Sequence, residues 1–240
     1  MGNEGGEWIM HGMAWDDPYR VRTAQELINW VNEIGFLPLF ANEIEGFSVE
    51  EHTAAACWWS DSAEQDPWAW REQIARSGEV AYGKFFGKKS GFVSKAWLPV
   101  LANYRRDGYD FDSRWEDGLA KGRSKKLMDC FESGGRFTGQ QLKAQAGFGN
   151  GGEKNFAGIV TDLQMQTYLV VCDFQQKVSK SGRAYGMPVS VYARPEDLWG
   201  YDLISSAYRE QPAASRDKIF DHIRSLYPGA TEKQLRCVMK

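Results

Sequence analysis

The stretch Arg136-Phe-Thr-Gly-Gln-Gln-Leu-Lys-Ala-Gln-Ala-Gly147, with its continuation to Arg194, decides the fold. Thr138 and Gln141 form a Thr-x-x-Gln capping box, which opens a short helix, and Gly147 is the residue a helix C-terminus favours. A glycine-rich loop runs from Gly147 to Gly152. A second helix is predicted from about Glu153, with Phe156, Ile159, Val160 and Leu163 at helical spacing on one face. The β-branched run Tyr168-Leu-Val-Val-Cys-Asp-Phe174 reads as a strand, the polar segment Lys177 to Arg183 as a turn, and Tyr185 to Tyr192 as a second strand. Helix, turn, helix, hairpin is the order of a winged-helix unit. Lys177, Lys180 and Arg183 fall at the hairpin tip, where such a wing touches a phosphate backbone.

The same punctuation recurs on either side. Thr23 with Glu26 caps a helix whose stripe is Leu27, Trp30, Val31 and Ile34, closed by Gly35. Phe36 to Phe40 is a short apolar segment. Ser48 with Glu51 is a capping box predicting a helix towards Trp58 and Trp59. Asp66-Pro67 places an N-cap ahead of a proline at the first helical position, and that helix ends at Gly78. Val80 to Phe86 reads as extended, and helices are predicted from Ser94 to Gly108 and over residues 113–132. Ala213 to Leu226 reads as a helix stopped by Pro228-Gly229, and Thr231 with Gln234 caps a final one. No internal repeat is visible. The expectation is an α+β, helix-rich protein of tandem winged-helix-like units. It has a disordered leader (1–18), a helix-rich N-terminal winged-helix-like domain (19–134) and a winged-helix domain with C-terminal helices (135–240), with a boundary near 133–135.

The 240 residues, 42% of them hydrophobic and 14% aromatic, give ample core material. No apolar run approaches the roughly 20 residues that span a bilayer, and no signal-peptide core is present, so no membrane partner is expected. Cys57, Cys130, Cys172 and Cys237 are far apart and form no Cys-x-x-Cys pair, which points to reduced thiols in a cytoplasm and no zinc. Three histidines (His11, His52 and His222) are too few for a histidine-rich metal centre. No cofactor or metal is expected, and nothing sets an oligomeric state. The net charge of −3 hides an asymmetry: residues 1–80 carry 4 basic and 15 acidic groups, residues 81–190 carry 17 and 10. The basic middle is where a polyanion would be held.

Familiar motifs fail their context. Gly147 to Gly152 matches G-x-G-x-x-G but follows a helix instead of a strand. Gly83 to Ser90 is one residue short of a phosphate loop, and Asp107, Asp110 and Asp112 meet Lys121 where a calcium loop needs glutamate. Two features carry more. The first is the cluster of His52, Trp59, Trp70, Arg71 and Tyr82, which reads either as a pocket or as a filled core. The second is Leu163-Gln-Met-Gln-Thr167. At the start of a strand, Gln164 and Gln166 would point the same way and could orient a water or bond a base edge; on a helix they diverge.

The segments Glu51-His-Thr53, Asp66-Pro-Trp-Ala-Trp-Arg71, Ala75-Arg-Ser-Gly78, Tyr82-Gly-Lys-Phe-Phe86, Tyr104-Arg-Arg-Asp-Gly-Tyr109 and Leu163-Gln-Met-Gln-Thr-Tyr-Leu169 carry a resemblance. The chain resembles the AlkZ/YcaQ group of winged-helix DNA glycosylases, and over about residues 20–210 the smaller AlkZ-related proteins. That resemblance implies tandem winged-helix units that excise bulky alkylated bases without a metal, using Gln-x-Gln or Gln-x-Asp. Only Gln164-Met165-Gln166 matches that signature; the family's early position falls on Phe36 to Asn42, which holds no glutamine. On this reading Gln164 and Gln166 are the catalytic pair. Lys84, Lys88, Lys89, Arg105, Arg106, Lys177, Lys180 and Arg183 hold DNA, and Tyr82 or Trp59 stacks on the lesion. Three functions stay open: a DNA-binding protein with glycosylase activity, a non-catalytic DNA-binding regulator or protein-interaction module, and a small-molecule sensor with a Trp-lined pocket.

Overall fold

A computed structural model describes residues 2–4, 7–149, 151–179 and 181–240, with side chains from Met10 onward. The protein is α+β. It divides into two compact units, Met1–Leu98 with Arg216–Lys240, and Pro99–Ser215. The boundary expected near 133–135 therefore falls inside the second unit.

In the first unit, β1 (Gly2–Glu4) and β2 (Glu7–Ile9) pair antiparallel within the leader that the sequence suggested to be disordered. The next residues are also tied down. The His11 N–H donates to Glu50 Oε1 at 3.0 Å, the Met13 N–H donates to the Thr53 carbonyl, and a Cβ at Gly12 would meet that carbonyl at 2.3 Å. Helix α1 (Ala24–Ile34) begins at Thr23, whose hydroxyl accepts from the Glu26 N–H, and buries Leu27, Ile28, Val31 and Ile34. It ends at Gly35, where φ is 85° and a Cβ would sit 2.5 Å from the Trp97 ring, so only glycine fits.

Strand β3 (Phe36–Pro38) follows and is wholly buried. The Ser48–Glu51 hydrogen bonds do form, but they lead only to single 3-10 turns at Glu50–His52 and Ala55–Cys57. The helix expected there stops because Thr53 is extended, its hydroxyl donating to the Val49 carbonyl and accepting from Trp58 Nε1. Helix α2 (Pro67–Ser77) starts on Asp66, as its N-cap and proline dictate, and ends on left-handed Gly78. Strands β4 (Val80–Phe86) and β5 (Lys89–Ser94) form a hairpin, and β3 adds on the far side of β5, giving the order β3-β5-β4. Ser94 ends β5 instead of starting a helix.

Chain order then enters the second unit through α3 (Leu98–Arg106), α4 (Phe111–Glu116) and α5 (Gly122–Met128). The single helix predicted for 113–132 is split because Gly118 turns the chain at φ 71°. Strand β6 (Phe137–Thr138) leads into α6 (Gly139–Gln145), opened by the Thr138–Gln141 box, and α7 (Phe156–Met165) follows the glycine-rich loop. Strands β7 (Val170–Gln175) and β8 (Val189–Ala193) pair, with β6 beyond β8, in the order β7-β8-β6. Phe111, Leu127, Phe131, Leu142, Leu163 and Leu169 fill the core between these elements, each buried side chain contributing about 1.5–3 kcal/mol. Short helices α8 (Pro195–Trp199) and α9 (Tyr201–Ile204) follow. Helix α10 (Pro212–Leu226) crosses back to the first unit, and α11 (Glu232–Val238) opens with the Thr231–Gln234 box. On that return His222 Nε2 bonds the Ile34 carbonyl at 2.9 Å and its ring stacks on Trp97 at 4.2 Å.

The two units share one topology. A helix (α1, α5) leads to a strand (β3, β6), then a helical segment, a helix (α2, α7) and a hairpin whose second strand pairs with the first strand.

Arg106 knits the second unit together. Its guanidinium, 1% exposed, donates to Thr167 Oγ1 at 3.1 Å and to the Thr167 carbonyl at 2.6 Å. It also donates to Glu196 Oε1 at 2.5 Å and Tyr208 Oη at 2.8 Å, and lies 4.5 Å from the Tyr168 ring centroid. Burial opposes its charge, but Glu196 and the neighbouring phenols outweigh burial and hold its pKa above the ordinary range. Arg106→Met is expected to destabilise the protein by about 3–5 kcal/mol, because it strands the Glu196 carboxylate and the Thr167 carbonyl; urea denaturation followed by circular dichroism checks this.

Candidate nucleic-acid interface

The hairpin of each unit carries exposed cations, among others elsewhere on the surface. In the first unit β4 and β5 are joined by Gly87 and Lys88, with φ of 54° and 69°, the positive pair a two-residue type I′ turn requires. Lys88 and Lys89 stand exposed at this tip. Lys84 is exposed beside them, in a bulge where the register shifts between Gly83 and Phe86.

The second unit's hairpin loop is longer and more closely braced. Over residues 176–188 it contains three basic residues and no acidic one. The Tyr185 N–H donates to the Lys177 carbonyl, the Ser179 N–H to the Arg183 carbonyl, and Gln176 Nε2 to the carbonyls of Tyr185 and Gly186. These bonds hold Lys177 and Arg183 out in solvent, and among the described residues neither has an ion-pair partner. Tyr185 (55% exposed) and Met187 (58%) stand beside them. Sequence reasoning missed these two apolar side chains; the missing acids in the loop were the available signal. Lys180 lies outside the described residues.

The second helix of the pair that precedes this hairpin is not basic, whereas α6 exposes Lys143. Helix α7 contains no Lys or Arg and exposes Ala157 and Asp162. In this unit the hairpin, not the second helix, is therefore suited to a polyanion. A cavity of about 490 Å³ in the same unit is lined by Asp110, Glu116, Asp129, Glu132 and Glu196, together with Arg194 paired to Asp197, and its excess of carboxylates would repel a phosphate backbone.

Two cations expected on the interface turn inward. Arg106 is consumed by the network above, so the phosphate-holding role assigned to it is corrected: its donors face Thr167, Glu196 and Tyr208. Arg105 donates to the Met165 carbonyl at 3.2 Å, and burial lowers its pKa to about 10.

The two glutamines sit at the end of a helix and not at the start of a strand. Gln164 lies inside α7, 2% exposed, with Nε2 donating to the Val160 carbonyl at 3.3 Å. Gln166 is the C-cap of the helix, and Thr167 then turns the chain at φ 61°. The extended segment begins only at Val170. Two positions apart on a helix, side chains point roughly 200° apart, so the shared direction expected at a strand start is absent.

The aromatic group expected around a pocket is mostly packed core. Trp70 is buried with Nε1 donating to the Glu64 carbonyl, and the Arg71 guanidinium lies 3.7 Å from the Trp68 ring centroid. Burial pushes the Tyr82 phenol above its ordinary pKa. His52 bonds the Gly46 carbonyl through Nε2 at 2.8 Å and packs edge-on against Trp30. Only Trp59 is substantially exposed. Among the described residues no group of His, Cys, Asp and Glu is placed to hold a metal ion, and no helix is long and apolar enough to cross a membrane.

A family model described as AlkZ related matches residues 21–240, and the chain belongs to the AlkZ-related family. No curated protein and no solved structure matches it.

The separation of the two glutamines has a measurable consequence. Gln164→Ala is expected to cost about 1–3 kcal/mol of stability, as a buried amide should. Gln166→Ala should stay within about 0.5 kcal/mol. Thermal and urea unfolding of the two variants checks the contrast; equal, negligible losses would contradict the placement of Gln164.

Proposed function

We propose that the protein is a DNA-binding member of the AlkZ-related family, built from two winged-helix units that hold DNA through their hairpin wings. The supporting observation is the braced, acid-free loop at 176–188, with Lys177 and Arg183 exposed and Tyr185 and Met187 beside them. The lysine-bearing tip at Lys88 and Lys89 repeats the arrangement at the corresponding hairpin of the first unit. Cations contribute affinity by neutralising phosphates and releasing counterions, and they carry no base sequence information. Exposed Tyr and Met side chains on a wing suit an apolar surface that meets a groove or an opened base step.

The buried amide of Gln164 favours binding without base excision by the Gln164–Gln166 pair. The non-catalytic reading of the fold is therefore preferred to the glycosylase, and the packed state of Trp70, Arg71 and Tyr82 argues against the small-molecule sensor.

Fluorescence anisotropy across a salt series tests the reading, with one duplex carrying a central abasic-site mimic and the same duplex intact. Binding is expected at low salt, weakening linearly in log salt. The double variant K177A/R183A should bind about tenfold more weakly and lower the slope by roughly 2, because each phosphate that is no longer neutralised removes about 0.9 from it. No binding to either duplex at low salt would overturn the proposal. Release of an alkylated base from a treated duplex, abolished by Gln164→Ala in a folded protein, would restore the catalytic reading.

A further inference from the structure

We propose that the surface around Trp59 docks an arginine-bearing, cationic segment of a partner protein, separately from the DNA-binding hairpins. Trp59 combines two unfavourable features. Its φ is 56°, a left-handed conformation that a bulky side chain rarely adopts. Its indole is 48% exposed, so folding recovers only part of what burial of an indole would give. The conformation is enforced by a single carboxylate: Asp66 Oδ1, buried, accepts from the Trp59 N–H at 2.9 Å and from the Trp68 N–H at 2.8 Å. The same group that starts α2 thus fixes Trp59 at the surface. Strain maintained to present an exposed aromatic ring marks a contact site.

The neighbouring rings show which chemistry the surface accepts. Trp59 packs at 6.1 Å from Trp68 and 5.8 Å from Trp58, with Phe40 behind both. Trp68 already carries the Arg71 guanidinium at 3.7 Å. Trp15, also exposed, carries that of Arg20 at 4.7 Å. Both Arg20 and Asp66 act on the thiol of Cys57, whose pKa burial raises, so the Trp15–Arg20 and Asp66–Trp59 pairs lie within electrostatic reach of one side chain. Among the described residues Trp59 has no cation on its ring.

Charge selects the occupant. No lysine precedes Lys84 in the chain, and residues 1–80 carry 15 acidic groups against 4 basic ones. Asp61 and Glu64, in the loop between Trp59 and α2, are exposed and without ion-pair partners among the described residues. A nucleic acid would be repelled here, whereas a guanidinium gains both the indole face and the carboxylates.

The test is anisotropy of a fluorescein-labelled peptide of alternating glycine and arginine, with the citrulline analogue and a labelled oligothymidylate as alternatives. The arginine peptide is expected to bind at least about tenfold more tightly than the citrulline peptide, whose side chain keeps its shape but loses its charge. Trp59→Gly, which suits the left-handed φ, should weaken arginine-peptide binding by at least about tenfold, and Trp59→Phe by less than about threefold. The duplex affinity of both variants should be unchanged. Equal binding of the citrulline peptide, undiminished peptide binding by Trp59→Gly, or no binding near millimolar protein would overturn the proposal. A loss of oligothymidylate binding in Trp59→Gly, with peptide binding intact, would assign the surface to nucleic acid instead.

Discussion

The buried guanidinium of Arg106 is the constraint on which the second unit depends. A charge removed from water is tolerated only when every donor finds a partner, and here the partners come from separate segments: Thr167 after α7, Glu196 in α8 and Tyr208 beyond α9. Thr167 has a φ of 61°, unfavourable for a β-branched residue. Both of its oxygens accept from Arg106, which offsets that strain and fixes the turn between α7 and β7. Tyr208 passes the network on, its hydroxyl also reaching the Tyr109 carbonyl. The turn that starts the hairpin is therefore set by a cation that never meets solvent.

This arrangement separates two uses of basic residues. Cations inside the unit are spent on carbonyls and carboxylates, while those on the hairpins are held out by backbone hydrogen bonds. Helix α7, which the order of elements would nominate as the reading helix, exposes a carboxylate and no cation. A protein contacting a polyanion through hairpins alone would recognise the shape and charge of its partner more than its sequence.

Local signals were legible wherever one side chain controls one backbone group. Thr23, Asp66, Thr138 and Thr231 each cap the helix expected of them, and Gly35 and Gly78 end theirs. Tertiary context decided the rest. Strands β3 and β6 are three and two residues long, too short for any alternation to register. The Ser48 box formed its hydrogen bonds and still nucleated no α-helix, because Thr53 is held extended. Arg105 and Arg106 read as surface charge, since their partners lie about 60 or more residues away. The shared topology of the two units was equally hidden: the helical segment after β3 is two 3-10 turns, that after β6 an α-helix, and the hairpin loops differ in length. For the candidate site, the exposure of Lys84, Lys88, Lys89 and Lys177 was legible from their place around two predicted turns, whereas the glutamines were judged by spacing, which means something different on a helix.

The first unit is discontinuous in the chain, and this bears on biosynthesis. Residues 216–240 belong with residues 1–98, and His222 locks onto Ile34 and Trp97. During vectorial synthesis the intervening unit, continuous over 99–215, emerges whole before its host can close. Until the last turns of α10 leave the ribosome, Phe36 and Trp97 lack the imidazole that packs against them. The packing of the first unit is thus complete only once the chain beyond the second unit has been made, which couples its closure to synthesis of the residues between.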